Sequence, residues 1–154
     1  MSTVMVLNGP NLQRLGTREP DVYGVVSLPE VAEALQGAVP DGIRVQVTQT
    51  DDEATLIGWL HVAADTRSPV ILNPAAFAHY SYALHDAVRI VTTSGVPVVE
   101  VHITNPAARE EFRRESVVSP AVTGVIAGFG TDGYLMALDW VVRRWSGKQL
   151  PAAG

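Results

Sequence analysis

The sequence contains no cysteine, which excludes disulfides, thiolate nucleophiles and cysteine-based metal sites together. That composition fits a reducing compartment such as the cytosol. Lysine is almost as scarce: of 11 basic residues ten are Arg, and the remaining one, Lys148, lies near the C-terminus. A Schiff-base mechanism needs a desolvated lysine inside a pocket, and Lys148 supplies one only if the tail folds back over the site. Positive charge is short too. With 11 Lys+Arg against 16 Asp+Glu the formal net charge is -5, so nucleic acid is a poor partner. Long apolar runs are missing: Val4–Leu7 is too short for a signal peptide, and nothing approaches the roughly 18 residues of a membrane span. The histidines at 61, 79, 85 and 102 lack H-x-x-H or H-E-x-x-H spacing, so no metal site is expected.

What is present suits one globular domain. The 154 residues are 47% hydrophobic and 18% charged, enough to bury a core across a single unit, residues 1–154. The segment Ser146–Gly154 is expected to fray, with disorder from about residue 147. There is no internal repeat and no low-complexity stretch.

Along the chain, strand and helix patterns alternate. Thr3–Leu7 reads as a buried strand broken by Asn8-Gly9-Pro10, and Asn11 to Gly24 reads as a long functional loop. Ser27 with Glu30 predicts a capped helix carrying Val31, Ala34, Leu35 and Ala38. Ile43, Val45 and Val47 predict a second strand, and Thr50 with Glu53 a second capping box before Leu56, Ile57, Leu60 and Ala64. Pro69–Asn73 predicts the third strand and Pro74–Tyr80 a loop. Tyr82–Thr92 reads as a helix and Pro97–Val101 as the fourth strand. Asn105–Ser116 is polar, with a helical turn around Arg109–Arg113. Val122–Ala127 makes a fifth strand, and Leu138, Val141, Val142 and Trp145 fall at i, i+3, i+4 and i+7 of a last helix.

Five strands separated by helices imply an α/β fold: a parallel sheet covered on both faces, a three-layer sandwich. Right-handed crossovers leave the flavodoxin-like order 2-1-3-4-5 as the leading topology. Ligands then sit beyond the carboxyl ends of the strands. Those ends carry Asn8 and Asn11, Asn73 and His79, and the cluster Glu100, His102, Thr104 and Asn105.

Gly128-Phe129-Gly130-Thr131-Asp132-Gly133 matches G-x-G-x-x-G between a strand and a helix. A dinucleotide site needs a further strand and an acidic residue about 20 positions on, and the chain is nearly over. A tight turn with close packing is the expected role. A receiver domain is disfavoured, since neither the acidic residues after strand one nor the lysine after strand five is present. Glu100 and His102 are two apart on one strand and share a side. Such a pair is either an oriented general acid or a solvent-facing charge pair at a strand end. Tyr23 is a packing residue or, beside Arg18, a base; a guanidinium stabilises a phenolate and lowers the usual value of about 10. Arg109, Arg113 and Arg114 mark an anion site, or pair with Glu110, Glu111 and Glu115. His61 is expected at the surface.

Several ordered motifs together resemble a known family. Leu7-Asn8-Gly9-Pro10-Asn11-Leu12, Leu15-Gly16, Arg18-Glu19-Pro20 and Val22-Tyr23-Gly24 resemble the opening of the type II 3-dehydroquinate dehydratases. So do Val99-Glu100-Val101-His102-Ile103-Thr104-Asn105, Ala108–Arg113, and Gly124–Gly130 with Gly133-Tyr134. The resemblance runs from about Val4 to Ala137. It implies a cytoplasmic, cofactor-free hydro-lyase of the shikimate pathway, acting on 3-dehydroquinate by anti elimination, with trimers assembled into a dodecamer. By motif, Tyr23 would take the C2 proton with Arg18 lowering its pKa, and Asn11 would hold a water on the enolate oxygen. His102, oriented by Glu100, would protonate the departing hydroxyl. Asn73, His79, Arg113, Ile103 and Thr104 would hold substrate, and Asp86 would reach a neighbour's site. The chain departs from the family at Ala75–Tyr80, His85, Thr104, Ala107 and Glu115, around the pocket and subunit contact. A paralogue binding a related cyclic hydroxy acid is the alternative.

Overall fold

The structure, a computed structural model, describes residues 2–145; the expected fraying of Ser146–Gly154 and the position of Lys148 lie outside the described residues. Five parallel strands run in the order β2-β1-β3-β4-β5: β1 Ser2–Asn8, β2 Ile43–Gln49, β3 Val70–Asn73, β4 Val98–His102 and β5 Gly124–Ala127. This is the flavodoxin-like arrangement read from the alternating pattern.

Alternation along the inner strands builds two cores. Met5 and Leu7 of β1 and Val70 and Leu72 of β3 pack with Leu56, Leu60, Leu84 and Val88 from helices α3 (Glu53–Thr66) and α4 (Tyr82–Thr93). Val4, Val6 and Ile71 face the other way, against Val31 and Leu35 of α2 (Leu28–Gly37) and Leu138 and Val141 of α5 (Asp132–Trp145). A strand covered on both faces needs apolar side chains at consecutive positions, which is why β1 and β3 read as continuous runs.

The register aligns the carboxyl ends. Asn8 pairs with Gln49 on one side and with Asn73 on the other, and Leu72 pairs with Glu100. Glu100 shares the side-chain parity of core residue Val98, so it occupies what would otherwise be an apolar position.

Helix starts follow the expected capping with one correction. Ser27 Oγ accepts from the Glu30 amide at 3.4 Å, as its spacing predicts. At α3 the cap is Asp52, whose Oδ2 accepts from the Thr55 amide at 3.1 Å; Thr50 instead takes the Asp52 amide at 3.0 Å. The Thr55 hydroxyl and then its amide hold the Asp52 carboxyl below the usual carboxylate range. Two stretches read as plain loop hold short helices: a 3-10 turn at Leu12–Arg14 and the four-residue helix α1, Pro20–Tyr23, within Asn11–Gly24. A second 3-10 turn, Ala75–His79, occupies most of Pro74–Tyr80. Such single turns are too short for a hydrophobic period to reveal. The expected turn at Arg109–Arg113 is two 3-10 turns, Pro106–Ala108 and Glu111–Arg114.

Candidate active site

Beyond the ends of β1, β3 and β4 lies a cavity of about 300 Å³. Asn11, Arg18, Tyr23, Asn73, His79, His102, Ile103, Thr104 and Arg113 all contribute to its wall. Nine of the eleven residues singled out from the sequence therefore meet in one place. Glu100, bonded to His102, is buried behind it, and Asp86 is exposed on α4 and takes no part in the cavity wall.

The strand-end pair is the most tightly built part. His102 Nε2 donates to Glu100 Oε2, and Glu100 is 0% exposed, which removes the reading of a solvent-facing charge pair. A carboxylate buried this deeply must have its oxygens satisfied, and Oε1 accepts from the Ser119 hydroxyl at 2.9 Å. His102 Nδ1 has no protein partner among the described residues, so the ring is held by one nitrogen and open at the other.

The loop over the cavity takes its course from left-handed backbone at Asn11 (φ 70°) and Glu19 (φ 40°), conformations that cost residues bearing a β-carbon. Asn11 is held by its amide, which donates to Asp51 Oδ1 at 2.9 Å, leaving its side-chain amide without a protein partner among the described residues. Pro20 opens α1, and Tyr23 ends it facing the cavity. Two guanidinium groups lie against the Tyr23 ring: Arg18 at 4.7 Å and Arg109 at 5.1 Å from its centre. Arg18 also meets Glu19 at 3.5 Å.

The opposite wall comes from the segment after β4. Arg109 Nη1 donates to Thr104 Oγ1 at 3.3 Å, and Arg113 Nε donates to Glu110 Oε2 at 2.6 Å. The Glu110 backbone amide and then Arg113 keep the Glu110 carboxyl below its ordinary range. The ion-pairing reading of the arginine cluster holds for Arg109 and Arg113, which share Glu110 while both line the cavity. His79 Nδ1 donates to the Glu115 carbonyl at 2.8 Å, and its ring meets Phe112 edge-on.

Asn73 is fixed from below. Its Oδ1 accepts from the Ala75 amide at 3.1 Å, and its Nδ2 donates to the Tyr134 hydroxyl at 2.9 Å. Tyr134 donates in turn to Asn8 Oδ1 at 2.6 Å, and burial pushes its phenol well above the ordinary value.

A wider cavity of about 550 Å³ lies beside the first and shares Tyr23, Ile103, Thr104 and Arg109 with it. It holds the turn from Gly128 to Asp132 but neither His79 nor His102, which line only the smaller of these two spaces. Gly128 (φ 95°) and Gly130 (φ 61°) make that turn, and a β-carbon on Gly128 would sit 3.3 Å from Asn105 Cβ, the tight-turn role expected of the glycine motif.

Sequence reasoning underweighted Arg109, which appeared only as one of a charged group, and passed over Ser119 and the support that Tyr134 gives Asn73. Tertiary placement alone distinguishes them; no spacing does.

Comparison with known proteins bears on the same residues. A family model described as Dehydroquinase class II matches residues 2–142. A protein of Salinispora tropica named 3-dehydroquinate dehydratase is 51% identical over 142 residues, covering 92% of this chain and 97% of its own length. One of the same name from Mycobacteroides abscessus is 51% identical over 141 residues, covering 91% and 96%. Among solved structures, the type II dehydroquinase of Propionibacterium acnes superposes with a TM-score of 0.87 at 50% identity, covering 92% of this chain and 97% of that one. That of Butyrivibrio crossotus gives 0.85 at 36% identity, with 91% and 97% covered.

Proposed function

The chain belongs to the class II dehydroquinase family, and from that premise we infer that it is a 3-dehydroquinate dehydratase, a hydro-lyase that converts 3-dehydroquinate to 3-dehydroshikimate. The observation that carries a mechanism is the meeting of Tyr23, Arg18 and His102 on one cavity with Glu100 locked behind the imidazole.

The C2 hydrogen of the substrate is α to the C3 ketone, so its removal leaves an enolate and needs only a base, a group to stabilise the oxyanion and an acid. In this reading the Tyr23 phenolate takes the C2 proton, and the C–H electron pair moves into the enolate. Arg18 stabilises negative charge on the phenol as the ring approaches substrate. Asn11, with its side-chain amide uncommitted, holds a water against the enolate oxygen. The enolate then collapses: the ketone re-forms, a C1–C2 double bond appears, and the C1–O bond breaks. His102 delivers a proton from Nδ1 to the departing hydroxyl, which leaves as water, while Nε2 stays bonded to Glu100. A proton passing from Tyr23 back to His102 through solvent closes the cycle. No cofactor enters these steps.

Asn73, His79, Arg113, Ile103 and Thr104 surround the space left for the carboxylate and ring hydroxyls. Arg18, Arg109 and Arg113 give this region positive character in a chain of net charge -5, which suits an anionic substrate. We further propose that one domain carries the whole activity and that it works in the cytoplasm. The proposed assembly is a dodecamer of trimers, in which Asp86, exposed on α4, reaches a neighbour's cavity. The alternative of a non-catalytic paralogue is not favoured, since relatives at about half identity over most of the chain carry the enzyme's name.

The test is direct: purified protein mixed with 3-dehydroquinate should develop the ultraviolet absorbance of the conjugated enone, unaffected by chelator or borohydride. Absence of that signal at high enzyme concentration would remove the assignment.

A further inference from the structure

Glu100 has two carboxylate oxygens and two partners. Oε2 accepts from His102 Nε2, and Oε1 accepts from Ser119 Oγ at 2.9 Å. Were Oε1 free, the buried carboxylate could rotate about its last bond or draw water inward, and the imidazole would lose a fixed acceptor. Ser119 is itself aimed by its local structure. It opens the 3-10 turn Ser119–Ala121, and its amide donates to Ser116 Oγ at 2.9 Å. The same Ser116 oxygen takes the Val118 amide at 3.2 Å. The turn is anchored in the core by Val118 and Ala121, both buried.

Behind this arrangement lies a cavity of about 230 Å³, bounded by Glu100, His102, Ser116, Ser119 and Arg114. Apolar side chains such as Ala78, Val125 and Ala127 make up much of its wall, but Glu100, Ser116 and Ser119 give it a polar corner with room for water. Losing the serine hydroxyl would open Glu100 to water in that corner.

We propose that Ser119 is a positioning residue for the acid step: it holds Glu100 in the one orientation that anchors His102 through its Nε2–H, so that Nδ1, which carries the second proton of the imidazolium, is turned to substrate. The inference rests on the assignment of His102 as the acid. It adds to that assignment a third member whose own side chain has no place on the wall of the 300 Å³ cavity. A hydrogen bond to a charged group is worth enough that its loss lowers a rate by roughly tenfold or more. Substrate affinity should be spared, because Ser119 touches none of the groups that would hold the ring.

The experiment compares full-length Ser119→Ala, Ser119→Cys and Ser119→Thr with the parent enzyme. Ser119→Ala should lower kcat roughly tenfold or more with KM little changed. Ser119→Thr, which keeps the hydroxyl, should recover most of the loss, and Ser119→Cys, a weaker donor, should fall between. Long-range nitrogen–proton NMR of the imidazoles supplies a second readout independent of turnover. At a pH where the ring is neutral, His102 in the parent should show the Nε2–H tautomer, and Ser119→Ala should mix in the Nδ1–H form while His61, His79 and His85 stay unchanged. An unaltered His102 tautomer in Ser119→Ala, or a kcat loss that Ser119→Thr does not recover, overturns the proposal. If the tautomer responds but no variant, parent included, turns over 3-dehydroquinate, the positioning stands and the functional reading falls. If Ser119→Ala does not fold, the graded response of Ser119→Cys decides the matter by the same two readouts.

Discussion

Arg109 lies 5.1 Å from the centre of the Tyr23 ring, nearly as close as Arg18 at 4.7 Å, although it comes from the segment after β4 and not from the loop that carries the tyrosine. The two cations differ in their supports. Arg18 shares a loop with Tyr23, and its side chain ion-pairs with its neighbour Glu19. Arg109 is fixed to the body of the protein through Thr104 and Glu110. An arginine on the scaffold gives the loop a place to dock; an arginine on the loop keeps positive charge beside the phenol wherever the loop goes.

That difference predicts different kinetics for the two truncations. Arg18→Ala should lower kcat with KM little changed, because the guanidinium nearest the Tyr23 ring is lost. Arg109→Ala should lower kcat and also raise KM, since loop docking on the body weakens. Steady-state kcat and KM check both; an unchanged kcat in Arg18→Ala contradicts the role given to it.

Glu100→Gln should be more damaging than its size suggests. The amide keeps the volume and one acceptor oxygen, but it removes the negative charge that faces His102 when both ring nitrogens carry protons. By this argument kcat falls about 10²-fold or more with KM little changed. Stopped-flow or progress-curve rates with circular dichroism as the folding control measure it, and near-normal turnover would show that the pair is merely structural.

Tyr134 joins Asn8 and Asn73 deep under the site, so Tyr134→Phe leaves Asn8 Oδ1 and one Asn73 proton without their partner. We expect a loss of about 1–3 kcal/mol in denaturant unfolding. Burial raises this phenol above its unfolded value. Its contribution is therefore complete below the unfolded value of about 10 and is lost as pH climbs beyond it toward the folded one. Alkaline unfolding should be shallower in the Phe variant, and an identical alkaline limb would refute the assignment.

Ala75 sits at φ 50°, a left-handed conformation that costs a residue with a β-carbon roughly 1–2 kcal/mol. Glycine there removes that cost but adds about 0.4–1 kcal/mol of chain entropy to the unfolded state. Ala75→Gly should thus be stabilising by about 0.5–1 kcal/mol, a rise in thermal midpoint of a few degrees; a destabilised variant would mean that the methyl packs better than its backbone suggests.

The sheet was legible because short apolar strand segments and period-3.6 helices alternate along most of the chain, and only a few parallel topologies accept that pattern. Strand ends were legible for the same reason: once β1, β3 and β4 are ordered, Asn11, Asn73 and His102 must be neighbours. The reach of the Tyr23 loop was not set by any period, since its two short helical turns depend on left-handed residues and on Asp51, 40 positions away from the amide it holds. Asp52 replaced Thr50 as the α3 cap because either residue can accept from a helix amide and spacing alone does not choose. Ser119 had no signal at all: a serine before a proline reads as a turn, and its bond to Glu100 exists only after β4 and the 3-10 turn have packed.

The central claim divides two proton transfers between two residues, and hydrogen exchange at C2 separates them. In deuterated solvent, His102→Ala should still wash deuterium into C2 of recovered 3-dehydroquinate, since Tyr23 can form the enolate, while enone formation falls by about 10²-fold or more. Tyr23→Phe should show neither exchange nor turnover with its fold intact. Exchange that persists in Tyr23→Phe would mean that another group takes the C2 proton, and the account would be wrong at its first step.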